Sequence, residues 1–217
     1  MTSEFLGEFA GTAVLIYLGN GVVANVLLKG SKGEGGGWMV IASAWAFAVT
    51  IGIFVATKFG SPGAHLNPMV TVAEAVKTED WSKAFMFITA QILGAMVGST
   101  LVWLQYFPHW AITEDKSLKL ACFSTAPAVR TVVPNFTAEF FASAMIIIAL
   151  GSFGSIETGL GPFKVGILIW AVGLSLGGST GYATNPARDL GPRIAHAILP
   201  IAGKGSSDWS SSKSKPQ

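Results

Sequence analysis

Five apolar runs, at about residues 5–28, 38–56, 84–107, 136–153 and 163–178, constrain this chain more than any other feature. A helix rises about 1.5 Å per residue, so runs of this length cross a hydrocarbon layer of about 30 Å with some tilt. In lipid every backbone N–H and C=O must find a partner within the protein, which makes long spanning segments helical. The expected fold is an all-α membrane protein in one domain, 1–217. Composition agrees: 51% of residues are hydrophobic and 12% charged, against about a quarter charged in a soluble domain. The first run carries Glu4 and Glu8 where a secretory signal carries basic residues, and it continues past signal length, so it reads as a retained span. A net charge of +2 leaves no footprint for nucleic acid. The single cysteine, Cys122, excludes an internal disulfide framework and a cysteine-rich metal site. No metal or cofactor is expected.

Two further segments, "NPMVTVAEAV" (67–76) and "NPARDLGPRIAHAIL" (185–199), are too short to cross and too apolar for ordinary loops. They read as half-spans. The halves of the chain also overlay: "GEFAGTAVLIYLG" (7–19) resembles "AEFFASAMIIIALG" (138–151), which sets Glu8 opposite Glu139. Each is followed by one more span and then by an Asn-Pro half-span. An odd number of spans per copy inverts the second in the membrane, an arrangement in which broken helices meet near the midplane. Repeat one is expected at 5–107 and repeat two, incomplete, at 136–199. A sixth span should follow, but "PIAGKGSSDWSSSKSKPQ" (200–217) is a polar tail that cannot cross. The expectation is thus an inverted repeat of five full spans and two half-spans, with the sixth span missing.

Asn is a preferred N-cap and Pro is favoured at the first helical position, so Asn67-Pro68 and Asn185-Pro186 mark helix starts. If each Asn oxygen accepts a first-turn N–H, at Val70 or Arg188, its amide donors are fixed and point outward. Two such starts meeting end to end bring a partial positive charge of about half a unit each. Cations are repelled there, and a neutral oxygen can accept from both asparagines. Met69 and Ala187, next in each helix, belong to the same midplane. Irregular backbone at this depth must be buried in protein or line a wet cavity, and a narrow aqueous pore meets these conditions.

Carboxylates inside spans are functional candidates. Glu8 and Glu139 are expected to accept hydrogen bonds from the half-span loops and hold them; proton relay is the alternative. His65 is expected to organise its loop, and Gln91 to bond a neighbouring helix. The Gly7/Gly11, Gly94/Gly98 and Gly173/Gly177 pairs allow close helix approach.

"SPGAHLNPMVT" and "GYATNPARDLGP" resemble the two Asn-Pro-Ala boxes of the aquaporin and glycerol-facilitator family, and the resemblance extends over the chain short of its last span. Met69 departs from the family alanine, and packing is its expected role. Asp189 after the arginine, with basic Arg193 four positions on, is similar to the polyol-conducting branch. The resemblance implies a selectivity constriction of Arg188, Tyr182, Gly173 and an aromatic on the second span. The local pattern makes that aromatic Trp45, whereas counting back from Asn67 makes it Phe47. Trp45 is the expectation. Arg188 offers five donors and no acceptor, and an aromatic wedge facing it suits a polyol, which has one carbon edge and one hydroxyl edge.

The resemblance further implies glycerol or similar small neutral solutes and water as passengers, lipid as surroundings, a homotetramer, a cytoplasmic N-terminus and the cell membrane as location. Two alternatives stand beside it: a water-selective or broader small-solute pore, and a truncated family member impaired in conduction because a half-span lacks cover. An enzyme is not expected, since His65, His109 and His196 are scattered and neither a metal-binding nor a nucleophile motif is present.

Overall fold

The computed structural model describes residues 3–153 and 160–209. Most of the connection at 154–162 and the end of the polar tail, 210–217, lie outside the described residues. The described chain is helical: α1 Ser3–Leu27, α2 Gly37–Lys58, α3 Pro68–Thr78, α4 Ala84–Gln105, α5 Phe107–Ile112, α6 Lys116–Ala121, α7 Val132–Ser152, α8 Gly161–Ser175 and α9 Pro186–Ile198. Four of these, α1, α2, α4 and α7, are long and apolar enough to cross a membrane. The fifth expected span is shorter than read: α8 has 15 residues, about 22 Å at the helical rise. It starts at Gly161-Pro162 and stops just before Gly177-Gly178, where glycine disfavours further helix. The half-spans are α3 and α9, of 11 and 13 residues.

Several hydroxyls within the spans are neutralised locally. Thr50, Thr57, Thr89 and Thr100 each donate to the carbonyl four residues back, as Ser43 and Ser99 do. Hydroxyls bonded this way need no water.

Helix α1 lies between α2 and α4. A Cβ on Gly94 or Gly98 of α4 would come within 2.3 Å of the Phe9 carbonyl oxygen or 2.4 Å of the Ala13 one, so the two backbones are in contact there. On the other side, Gly11 faces the Gly52 carbonyl of α2. Gly11, Gly94 and Gly98 thus allow close helix approach, whereas Gly173 and Gly177, expected to do the same, face the rings of Tyr182 and Trp38. Helix α8 packs on α2, with Gly166 against the Thr50 hydroxyl, and α9 packs on α4, with Gly191 against Ala95. One core, including Ile16, Leu28, Leu66, Val102 and Phe123, fills the space around α1. A smaller one joins α7 and α8 through Ala142, Ile146, Leu168, Val172 and Tyr182, with Met69 packed on it.

The described part of the polar tail folds back on α9. Lys204 Nζ reaches the carbonyls of His196, Ala197 and Leu199 and so caps the end of that helix. Arg193 holds the Ser207 and Asp208 carbonyls.

Candidate functional site

Helices α3 and α9 begin at their asparagines, as cap chemistry dictates. The Asn67 oxygen accepts from Met69 N–H at 2.9 Å, one residue earlier than the expected Val70. The Asn185 oxygen accepts from Ala187 and from Arg188 N–H at 3.0 and 3.2 Å. The amide nitrogens differ from the reading in which both donors point outward. Asn67 Nδ2 donates to the Thr184 carbonyl at 2.9 Å, and Asn185 Nδ2 donates to the Leu66 carbonyl at 2.8 Å. Each asparagine thus straps its helix to the other half's loop with one N–H and keeps the other. Those reciprocal bonds bring the two helix starts together.

Both loops reach their asparagine through the same backbone shape. Ala64 and Leu66, three and one residues before Asn67, have φ of 42° and 53°, and Tyr182 and Thr184, in the same register before Asn185, have φ of 40° and 40°. Left-handed backbone costs a non-glycine residue about 1–2 kcal/mol, so something must hold it. Two carboxylates do. Glu8 accepts from His65 N–H, Leu66 N–H and the Ser61 hydroxyl, and from the Gln91 amide on α4. Glu139 accepts from Ala183 N–H, Thr184 N–H and the Thr180 hydroxyl. Each carboxylate thus bonds the loop that precedes its half-helix. Ser61 and Thr180 escaped the sequence reading; a hydroxyl residue shortly before each box was the available clue. Gln91 also donates to Thr71, which is within reach of His65 Nδ1 at 3.1 Å, and the His65 ring rests edge-on against Phe87. Asp189 accepts from Thr125 and pairs with Arg193, fastening the segment before α7 to α9.

Between these loops and helices α2, α7 and α8 lies a cavity of ≈ 520 Å³ whose wall includes Trp45, His65, Asn67, Tyr182, Asn185 and Arg188. On that wall, Trp45 packs on Gly19, where a Cβ would stand 2.4 Å from the ring. The Arg188 guanidinium sits 4.3 Å over the indole centroid. Arg188 is 8% exposed, and among the described residues its guanidinium has no salt-bridge partner. Trp45 Nε1 and the Tyr182 hydroxyl are buried without a protein hydrogen-bond partner. Phe47, the alternative to Trp45, is 60% exposed and faces away from the cavity.

Four expected midplane residues lie off the cavity wall: Pro68 and Ala187 are buried behind it, Met69 packs on the smaller core, and Pro186 is exposed. Gly173 is off the wall as well. A Cβ there would be 2.9 Å from Tyr182 Cζ, so the space it leaves is taken by the tyrosine ring.

Apolar helices of spanning length, with two capped half-helices strapped end to end beside an amphipathic cavity, define a membrane channel for uncharged solutes. The chain matches the family described as major intrinsic protein over residues 1–204 and belongs to that family. It is 51% identical over 209 residues to glycerol uptake facilitator protein 3 of Lactiplantibacillus plantarum, covering 95% of this chain and 86% of the relative. It is 49% identical over 213 residues to the glycerol uptake facilitator protein of Streptococcus pneumoniae, covering 97% and 90%. Its fold matches the X-ray structure of the aquaglyceroporin from Plasmodium falciparum with a TM-score of 0.77, at 29% identity over 88% of this chain and 79% of the other. The protein is an integral membrane channel of multiple spans.

Proposed function

We propose that the cavity conducts glycerol and related small polyols, together with water, passively and in single file. The carrying observation is the constriction: a buried guanidinium over an indole face, with Trp45 Nε1 and the Tyr182 hydroxyl free of protein partners. A polyol laid there sets its hydroxyls on Arg188 and its carbon edge on the apolar part of the wall, to which Val49, Ile53 and Ile146 contribute. Leaving a hydroxyl unpaired costs about 1–3 kcal/mol, so this pairing selects hydroxylated solutes over apolar ones of equal size. Further in, the remaining N–H of Asn67 and Asn185 donates to a passing oxygen. The two helix starts and Arg188 oppose cations. The facilitators named above support glycerol as passenger.

Glu8, Glu139, His65 and Asp189 serve by holding loops. Exposed apolar side chains such as Phe54, Phe140 and Ile167 suit lipid and neighbouring subunits of a homotetramer, an assembly that native mass spectrometry in detergent would test. Stopped-flow light scattering of proteoliposomes tests the passenger. Vesicles shrunk in glycerol should reswell faster than protein-free vesicles, while those in an impermeant osmolyte should not. Absence of glycerol-driven reswelling rejects the proposal.

A further inference from the structure

Tyr182 is part of the cavity wall, and although Ile146 of that wall belongs to the same apolar cluster, much of what holds its ring lies behind the wall. One side of the ring rests on α8. A Cβ at Gly173 would come within 2.9 Å of Tyr182 Cζ, and one at Gly177 within 2.4 Å of Cδ1. The same Gly177 Cβ would come within 2.7 Å of Trp38 Cζ2, so two aromatic rings share the slot that these glycines open. Trp38 meets Tyr182 edge to face, with centroids 5.8 Å apart and planes at 82°. Its indole N–H donates to the Gly173 carbonyl at 2.9 Å. Gly173 lies in the last turn of α8, where carbonyls lack an intrahelical donor. Trp38 therefore caps α8 with its polar edge and supports Tyr182 with its ring. It stands two helical turns before Trp45 on the same face of α2, which places one tryptophan on the wall and the other behind it.

We infer that Trp38 is a positioning residue that sets the solute size limit of the channel through Tyr182. The inference rests on the conduction reading above. With Trp38 in place, the Tyr182 ring has no room to retreat from the lumen. Without it, the ring can swing toward the vacated slot and the constriction widens. Larger polyols then gain more than glycerol, which already fits. A tryptophan that only anchored α2 at the membrane surface would change both fluxes in parallel.

The test compares a five-carbon linear polyol with glycerol in reswelling of proteoliposomes. Trp38→Ala should raise the pentitol-to-glycerol ratio about threefold, the scale set by losing one aromatic contact and one hydrogen bond. Trp38→Phe keeps an aromatic edge and loses the N–H, so it should raise the ratio less; it also carries the test if the alanine variant does not fold. In a Tyr182→Ala background, Trp38→Ala should add no further change. An unchanged ratio, a parallel fall of both fluxes, or an equal effect without Tyr182 overturns the inference. If wild-type vesicles pass no glycerol, the channel reading falls instead. Position is then read directly from the ¹⁹F resonance of 3-fluorotyrosine at residue 182, assigned by its loss in Tyr182→Phe. A shift in Trp38→Phe supports the inference, and an unmoved resonance overturns it.

Discussion

Glu8 is fully enclosed and takes hydrogen bonds from four donors, one of them a side chain on α4, whereas Glu139 is half-buried and takes three, all from the loop that it holds. The helices that carry them differ in the same sense: α1 buries twelve residues and α7 two, Ala142 and Ile146. Pro68 is buried and Pro186 exposed. Yet the two loops share their left-handed positions, their asparagine caps and their reciprocal straps. Loop shape therefore goes with the same set of hydrogen bonds in both halves, and packing behind each loop decides how firmly it is held.

The largest expected asymmetry follows from that division. Glu8→Gln turns one oxygen into an NH₂ that faces other donors, and the stranded buried N–H groups should cost about 3–5 kcal/mol. Glu139→Gln should cost about 1–2 kcal/mol, because that carboxylate is only half-buried and has fewer donors to strand. Denaturant midpoints of the detergent-solubilised variants measure both, and equal losses would break the comparison. Gly94→Ala should come next, at about 2–3 kcal/mol, since its Cβ meets the α1 backbone and cannot be accommodated without parting two helices. The same midpoint reports it, and a neutral result would mean that α1 and α4 do not touch there.

Which parts of this were legible in the sequence depends on how local their cause is. The helix starts at Asn67 and Asn185 were readable because a cap is written in adjacent residues. The local pattern on α2 pointed to Trp45, which lines the cavity, and counting pointed to Phe47, which does not; the turn at Phe59 and Gly60 lies in the stretch across which the count was made. The straps were not readable. Nothing near Asn67 signals that its amide will meet the Thr184 carbonyl, because that partner arrives through the packing of the whole chain. Gly173 was expected to leave width in the lumen, whereas the space it leaves is filled by a tyrosine ring. Trp38 carries no local mark of its contacts at all.

The asparagines sharpen the comparison from the opposite side. Asn67→Ala and Asn185→Ala each remove a cap and a strap, and each should cost about 2 kcal/mol. The losses should agree within about 1 kcal/mol, because each asparagine carries one strap and one cap, with Asn185 holding one further first-turn N–H and so losing slightly more. A clear difference in their unfolding midpoints would mean that packing enters there too. The smallest effect belongs to Gly151→Ala on α7, where a new Cβ meets nothing within 4 Å. Replacing glycine within a helix should then stabilise by up to about 1 kcal/mol, and a loss would reveal a contact on that face.

The central claim is that two strapped half-helices and Arg188 pass uncharged molecules while opposing cations. Its most direct measurement records glycerol reswelling and proton entry, with an internal pH dye, on the same proteoliposomes. The account predicts rapid glycerol flux with proton leakage no greater than in protein-free vesicles. Proton entry that rises with protein content alongside glycerol flux would contradict it.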